Sequence, residues 1–294
     1  MERKEFLRLA ALLPFVGAGM NIKALSTLAE HFPATDTMPA LFLGHGSPMN
    51  AIEENEFVAG FRTIAKTIPR PKAILCVSAH WETKGTYVTA MEQPRTIHDF
   101  GGFPQALFDV QYPAPGSPAL AEETKALITK TTILSDHEWG LDHGTWSVVK
   151  HLYPNADIPI IQLSLDYSKP PQYHYELAQQ LQQLRNKGIL LIGSGNMVHN
   201  LRLLDWRKLS VTNYAFDWAK EAQEKMTSYI LSDNHDQLIH YAKQGKAFEL
   251  AIPTPEHYLP LLYILALKKK NEHPQLFNNH YVAGSLTMTS VIIA

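Results

Sequence analysis

Histidine recurs in this chain where apolar runs end and where helices are expected to begin, and those positions carry its chemistry. Leu43-Gly44-His45-Gly46-Ser47-Pro48 closes one apolar run and Ser78-Ala79-His80-Trp81 closes a second. Gly193-Ser194-Gly195-Asn196-Met197-Val198-His199-Asn200 follows a third. Ligands of open α/β sheets bind outside the carboxyl ends of the strands, so strand ends that deliver histidine to one edge mark a candidate site. Gly44 and Gly46 clear side chains from around His45 and let backbone, ion or substrate approach closely. Two more histidines belong to expected helix starts. His143 lies in Trp139-Gly140-Leu141-Asp142-His143-Gly144-Thr145-Trp146, and His257 in Thr254-Pro255-Glu256-His257-Tyr258. Thr254 suits an N-cap and Pro255 the first helical position, which predicts a fixed direction for His257 in the first turn. The positive end of a helix also disfavours a protonated imidazole and keeps its lone pair available to a cation.

Imidazole donors without cysteine suit iron, zinc, copper or nickel. The single cysteine, Cys76, sits in the apolar run Ala73-Ile74-Leu75-Cys76-Val77 and reads as a small buried hydrophobe. The donor set leaves three functions open: oxygen chemistry at iron, hydrolysis at zinc, and metal binding without catalysis.

These loops need a frame. Short apolar runs at Ala40 to Leu43, Ala73 to Ser78, Tyr87 to Ala90, Ile158 to Leu165, Ile189 to Ile192 and Leu286 to Ile293 predict strands. Helical spacing of apolar residues covers Glu54 to Ile68, Pro118 to Thr131, Gly144 to Tyr153, Pro171 to Asn186, Thr212 to Leu231 and His235 to Lys243. The alternation predicts an α/β fold: one domain with a central, mostly parallel sheet flanked by helices, and the metal site at the strand carboxyl ends. The segment Gln93 to Ser117, crowded with proline and glycine, predicts a long ordered loop holding His98, Asp99, Phe100, Phe103, Phe108 and Tyr112.

Hydrophobic residues at 45% and charged residues at 18% place the chain among folded globular proteins rather than disordered ones. A net charge of −2, with no basic run interleaved with aromatics, argues against a nucleic-acid partner. No uninterrupted apolar run reaches the roughly 18 residues of a membrane span. The N-terminal Arg3-Lys4-Glu5-Phe6-Leu7-Arg8 resembles a twin-arginine export signal with lysine in place of the second arginine. Pro14 interrupts the apolar stretch that follows, so a cytoplasmic location is favoured over a periplasmic one reached through a twin-arginine-like signal.

At these motifs the sequence resembles the bacterial 4,5-DOPA extradiol dioxygenase family, a branch of the class III extradiol ring-cleavage enzymes. The resemblance is carried by residues 38–50 around His45 and by Ser78-Ala79-His80-Trp81. It continues in Thr96-Ile97-His98-Asp99-Phe100-Gly101-Gly102-Phe103-Pro104 and in Leu141-Asp142-His143-Gly144-Thr145-Trp146. Gly193-Ser194-Gly195-Asn196, Val198-His199-Asn200 and the stretch 253–262 around His257 complete it. It implies a catalytic domain over 38–294, preceded by an N-terminal segment, 1–37, outside the resemblance. It also implies cleavage of a catechol by O2 beside its hydroxyls, with DOPA or a related catechol as substrate. Opening at the 4,5 bond would give seco-DOPA, able to cyclise to betalamic acid. His45, His80 and His257 are implied as ligands of one metal per chain, Fe(II) for activity, with His199 at or beside it. His143 is implied as acid/base, with His199 as a second proton donor. The better-known class III enzymes use two histidines and a glutamate. Here His257 stands where a carboxylate is expected, with adjacent Glu256 as the alternative ligand. A third neutral imidazole leaves the ion more positive and favours Zn(II) in isolated protein. The loop from His98 to Phe103 is expected to contact the substrate side chain, with Asp99 either orienting His98 or receiving an amine.

Overall fold

The structure, a computed structural model, describes residues 37–294. The expectations for the export-like segment therefore lie outside the described residues. Six strands form the central sheet: β1 (Ala40–Gly44), β2 (Ala73–Ser78), β3 (Ile160–Gln162), β4 (Ile189–Gly195), β5 (Pro274–Phe277) and β6 (Ser290–Ile293). Their spatial order is β3-β2-β4-β1-β6-β5. The first four run parallel, and β6 and β5 add antiparallel at one edge. Strands β1, β2 and β4 are buried along their whole length, as expected where helices cover both faces of a parallel sheet.

Alternation along the strands splits the core in two. Ala40, Phe42, Leu75, Val77 and Leu191 face one side, where they join the cluster containing α5 (Asp217–Leu231), α6 (Lys246–Ala251) and α7 (Leu259–Ala266). Leu41, Leu43, Ile74, Cys76, Leu190 and Ile192 face the other, against α1 (Glu56–Thr67) and α3 (His143–Leu152). Helix α2 (Pro118–Leu127) is capped by Ser117, and α4 (Pro171–Gln179) packs on α7. Helix α7 is buried on every residue, which explains a composition with almost no polar face. Helices α1 and α3 start where side chains replace missing helical acceptors: Asn55 accepts from the backbone N–H groups of Phe57 and Val58, and Asp142 from that of Thr145.

Several expected elements differ. The strand around Tyr87 to Ala90 is Thr86–Thr89, and it pairs with Ile133–Asp136 outside the central sheet. The run Ile158 to Leu165 breaks after Gln162, where Ser164 Oγ takes the Tyr87 N–H at 2.8 Å and diverts the chain to a second small ribbon, Leu165–Asp166. The run Leu286 to Ile293 breaks into Leu286–Thr287 and β6. Residues Thr212 to Phe216 stay out of α5 because Asn213 and Phe216 bond to the Tyr281 to Gly284 turn instead. The expected helix over Pro171 to Asn186 is divided into α4 and a short turn, Gln182–Arg185, and His235 to Lys243 into Ile239-terminated and 3-10 pieces. His257 is not in the first turn of a helix capped by Thr254. The helix starts at Leu259, and Thr254 Oγ1 is bonded to Glu256 Oε1 at 2.8 Å rather than to backbone.

Candidate metal centre

The carboxyl ends of β1, β2 and β4 meet because glycines let backbones approach. Gly44 and Gly195 are paired across β1 and β4. A Cβ on Gly44 would lie 2.6 Å from the Met288 carbonyl, and one on Gly195 would lie 2.1 Å from the His257 carbonyl oxygen. That close approach ties the His257 turn to β4 through Asn196 N–H, which donates to the His257 carbonyl at 2.8 Å, while His45 N–H reaches the Gly195 carbonyl at 3.2 Å.

The result is a cluster of imidazoles. His45, His80 and His257 each offer a ligand atom, all within 4.8 Å of one another. His45 Nε2 and His80 Nε2 are 3.2 Å apart. Their outer nitrogens are all engaged. His45 Nδ1 lies 3.0 Å from Ser194 Oγ, whose own proton is donated to the Gly144 carbonyl, so Ser194 must accept from Nδ1–H. His80 Nδ1 faces Asp99 Oδ2 at 3.3 Å, and His257 Nδ1 faces Glu256 Oε1 at 3.1 Å. A carboxylate only accepts, so His257 Nδ1 carries hydrogen; the Asp99 charge beside His80 Nδ1 favours a hydrogen there too, and Nε2 is left as the lone pair of each neutral ring. Two lone pairs 3.2 Å apart repel unless a cation lies between them or one is protonated. A divalent ion suits this donor set, since ligating histidines habitually donate their second N–H to carboxylate or hydroxyl.

Burial, reinforced by the neighbouring imidazoles, holds His45 and His257 far below the ordinary histidine range. Burial and His143 lower His80 to about 3, against Asp99 and Glu256, which favour its charged form. Burial likewise lowers His199 to about 4. These rings are neutral near pH 7, the form a metal binds.

His143, the first residue of α3, sits with its ring 3.9 Å from that of His80. Its backbone N–H donates to Asp99 Oδ1 at 2.8 Å and its Nδ1 lies 3.0 Å from Asp99 Oδ2. Asp99 therefore does not orient His98; His98 Nε2 is bonded to the Val110 carbonyl at 3.0 Å. Burial would raise the Asp99 carboxyl, but the bonds it accepts from His143, with His80 close by, hold it below its ordinary value. His199 stacks on His257, with centroids 3.5 Å apart, and is grouped with Glu256 and His257 rather than with His45 and His80. Glu256 stands behind His257, outside the three-histidine group. Phe100, not Phe103, meets the His143 ring, at 5.4 Å, and Phe103 packs edge-on against Phe100.

Sequence reasoning left several partners without a role. Asp142, buried beneath His143, accepts from Ser78 Oγ at 2.7 Å, Gln162 Nε2 at 2.6 Å and the Thr145 N–H at 3.0 Å. Ser78 Oγ also accepts the His80 N–H at 3.2 Å, so one buried carboxylate braces both histidine loops. Ser194 was visible only as a small residue in a glycine-rich end. Local spacing marks Asp142 only as the cap of α3 and does not mark Ser194, because Ser78, Gln162 and His45 are distant in sequence.

A family model described as the catalytic LigB subunit of aromatic ring-opening dioxygenase matches residues 39–292. The chain is 48% identical over 261 residues to 4,5-DOPA dioxygenase extradiol of Escherichia coli (strain K12), covering 87% of this chain and 94% of that protein. It is 32% identical over 256 residues to 4,5-DOPA dioxygenase extradiol of Beta vulgaris, covering 85% and 94%. A crystal structure of an Escherichia coli K12 protein titled as uncharacterized superposes with a TM-score of 0.75 at 42% identity, over 87% of this chain and all of that one.

Proposed function

From the premise that this chain belongs to the family of the catalytic LigB subunit of aromatic ring-opening dioxygenases, and is a non-haem extradiol dioxygenase, we propose that it opens DOPA or a related catechol at the 4,5 bond. The product would be seco-DOPA, able to cyclise to betalamic acid. The observation that carries this reading is the convergence of His45, His80 and His257 with the Asp99-bonded His143 directly beside them.

Enzymes of this family are metal-dependent, and the residues that would hold the ion here are His45, His80 and His257, one ion per chain. Fe(II) is the active metal, with Zn(II) the competing occupant of isolated protein. When bound, ferrous iron supplies a common site for the catechol oxygens and O2, replacing a three-body collision by neighbours held in place.

The chain's own residues handle protons and shape. His143 Nδ1 is tied to Asp99, which leaves Nε2 to take a proton from a catechol hydroxyl and later return it during ring opening. General acid/base help of this kind is worth about 10²–10⁴-fold. His199, stacked on His257, is the second proton donor. Phe100 gives the ring a flat apolar wall, and His98 and Phe103 extend that wall towards the substrate side chain. Among the described residues no helix is long and apolar enough to cross a membrane. We assign the protein to the cytoplasm on Pro14 and on Lys4 standing where an export signal would have its second arginine.

The test is anaerobic reconstitution with Fe(II), followed by DOPA and O2. Oxygen uptake with a yellow ring-opened semialdehyde is expected. A panel of catechols that draws no oxygen into fully iron-loaded protein refutes the reading, and anaerobic turnover of an ester or amide would replace it by hydrolysis.

A further inference from the structure

We propose that Asp99 is a positioning residue: one carboxylate, delivered by the long proline- and glycine-rich loop, that fixes the tautomer of His143 by hydrogen bonding and sets its charge against His80 Nδ1, and so couples the metal-holding imidazole to the proton-transferring one. The inference rests on the metal and acid/base roles proposed for those two histidines.

The geometry admits little else. Asp99 Oδ1 accepts the His143 backbone N–H at 2.8 Å, one of the N–H groups at the start of α3 that has no acceptor within the helix. That bond stops the carboxylate from turning. Oδ2 is then held 3.0 Å from His143 Nδ1 and 3.3 Å from His80 Nδ1. An ionised carboxylate accepts and cannot donate, so His143 Nδ1 carries its hydrogen, and the negative charge beside His80 Nδ1 favours the same tautomer there, which leaves Nε2 of each neutral ring with its lone pair. For His80 that lone pair is the one facing His45 Nε2. For His143 it is the one free to move a proton. The negative charge also sits at the positive end of α3, a second reason for the chain to place an acid there.

The loop carrying Asp99 is pinned from several sides. Ile97 N–H donates to the Leu141 carbonyl at 2.7 Å, Trp146 Nε1 to the Ile97 carbonyl at 2.8 Å, and Tyr112 N–H to Thr96 Oγ1 at 2.9 Å. Trp146 belongs to α3 itself, so the bond ties the loop that carries Asp99 to the helix that carries His143. With its carboxylate bonded twice to His143 and lying against His80, Asp99 has no need of a substrate amine to complete its bonding.

The discriminating variant is Asp99→Asn. Asparagine keeps an oxygen for the His143 N–H, so a pure helix cap survives, but its NH2 group replaces the oxygen that accepts from His143 Nδ1–H and cannot accept there. In zinc-loaded D99N, long-range proton–nitrogen spectra are expected to show His143 shifted to the Nε2–H tautomer. Zinc affinity should fall about 10–100-fold, the usual cost of losing such a partner. With iron, kcat should fall and KM stay close to wild type, and Asp99→Glu should recover part of each effect. Unchanged tautomers with zinc affinity within twofold of wild type would overturn the proposal, and a rise in KM alone would return Asp99 to substrate binding. Should D99N fail to fold, Asp99→Ser provides the same cap acceptor and the same readings apply. Tautomer and zinc affinity are read without turnover, so inactivity towards every catechol would defeat the dioxygenase substrate reading and leave this one standing.

Discussion

The rings of His199 and His257 lie face to face, 3.5 Å between centroids and 8° from parallel. Lone pairs of stacked imidazoles lie in parallel planes, so we predict that the two histidines divide the work. His257 belongs to the group with His45 and His80 and also to a second one with His199 and Glu256, and the ion is expected in the first. His199→Gln is expected to keep one metal per chain while kcat falls about 10²–10⁴-fold, the range for a lost proton donor or acceptor. His257→Ala is expected to lose the metal. Metal content by atomic emission beside steady-state kinetics checks both, and equal metal loss in the two variants would disprove the division.

Ser194 sets the tautomer of His45 from behind, accepting from Nδ1 at 3.0 Å while donating to the Gly144 carbonyl. Ser194→Ala leaves a buried N–H without an acceptor and frees the ring to turn. A fall of about 10–100-fold in metal affinity is expected, smaller than the loss in His45→Ala. Competition with a fluorescent chelator measures it, and an affinity equal to wild type would show that the serine plays no part.

The sheet and the histidine ends were legible because they depend on local pattern. Ala40 to Leu43 and Ala73 to Ser78 are unbroken apolar runs, and glycine beside His45 marks a close approach whatever lies opposite. Strand β5 was not legible: Pro274-Gln275-Leu276-Phe277 opens with proline, lies at the sheet edge and lacks the β-branched residues of a strand. The bracing of the site was hidden for a different reason. Asp99 meets His143 across 44 positions and Ser194 meets His45 across 149, separations that periodicity does not encode. His257 was placed in a helix because Thr254 and Pro255 imitate a start signal. Glu256 takes the Thr254 hydroxyl, and the helix opens at Leu259.

Gly195→Ala tests the approach of the His257 turn to β4. The added methyl would lie 2.1 Å from the His257 carbonyl oxygen, a backbone atom that cannot swing away as a side-chain tip would. Forced insertion of this kind costs about 1–3 kcal/mol. A fall in Tm together with weakened metal binding is expected, since the displaced backbone carries a ligand. A variant with wild-type Tm and metal affinity would show that the turn is freer than the packing implies.

His174 gives a pH dependence that has nothing to do with the metal. It is buried on α4, its Nδ1 is 3.1 Å from the Tyr263 hydroxyl, and its Nε2 meets no hydrogen-bond partner among the described residues. Burial lowers its pKa from 6.5 to about 4, against Asp166, whose charge favours the protonated form. The folded state thus binds fewer protons than the unfolded chain between those values. Stability is complete above the unfolded value near 6.5 and is lost as pH falls towards 4. A shift of this size corresponds to about 3 kcal/mol at roughly 1.4 kcal/mol per pKa unit. Other buried histidines titrate in the same window, so the quantity to measure is the difference between wild type and His174→Gln, which retains a polar group for Tyr263 but has no proton to gain. In chelator-treated protein, urea unfolding at pH 7 and pH 4 is expected to show wild type losing about 3 kcal/mol more than the variant. Parallel losses in the two proteins would mean that His174 is protonated as easily inside the fold as outside it.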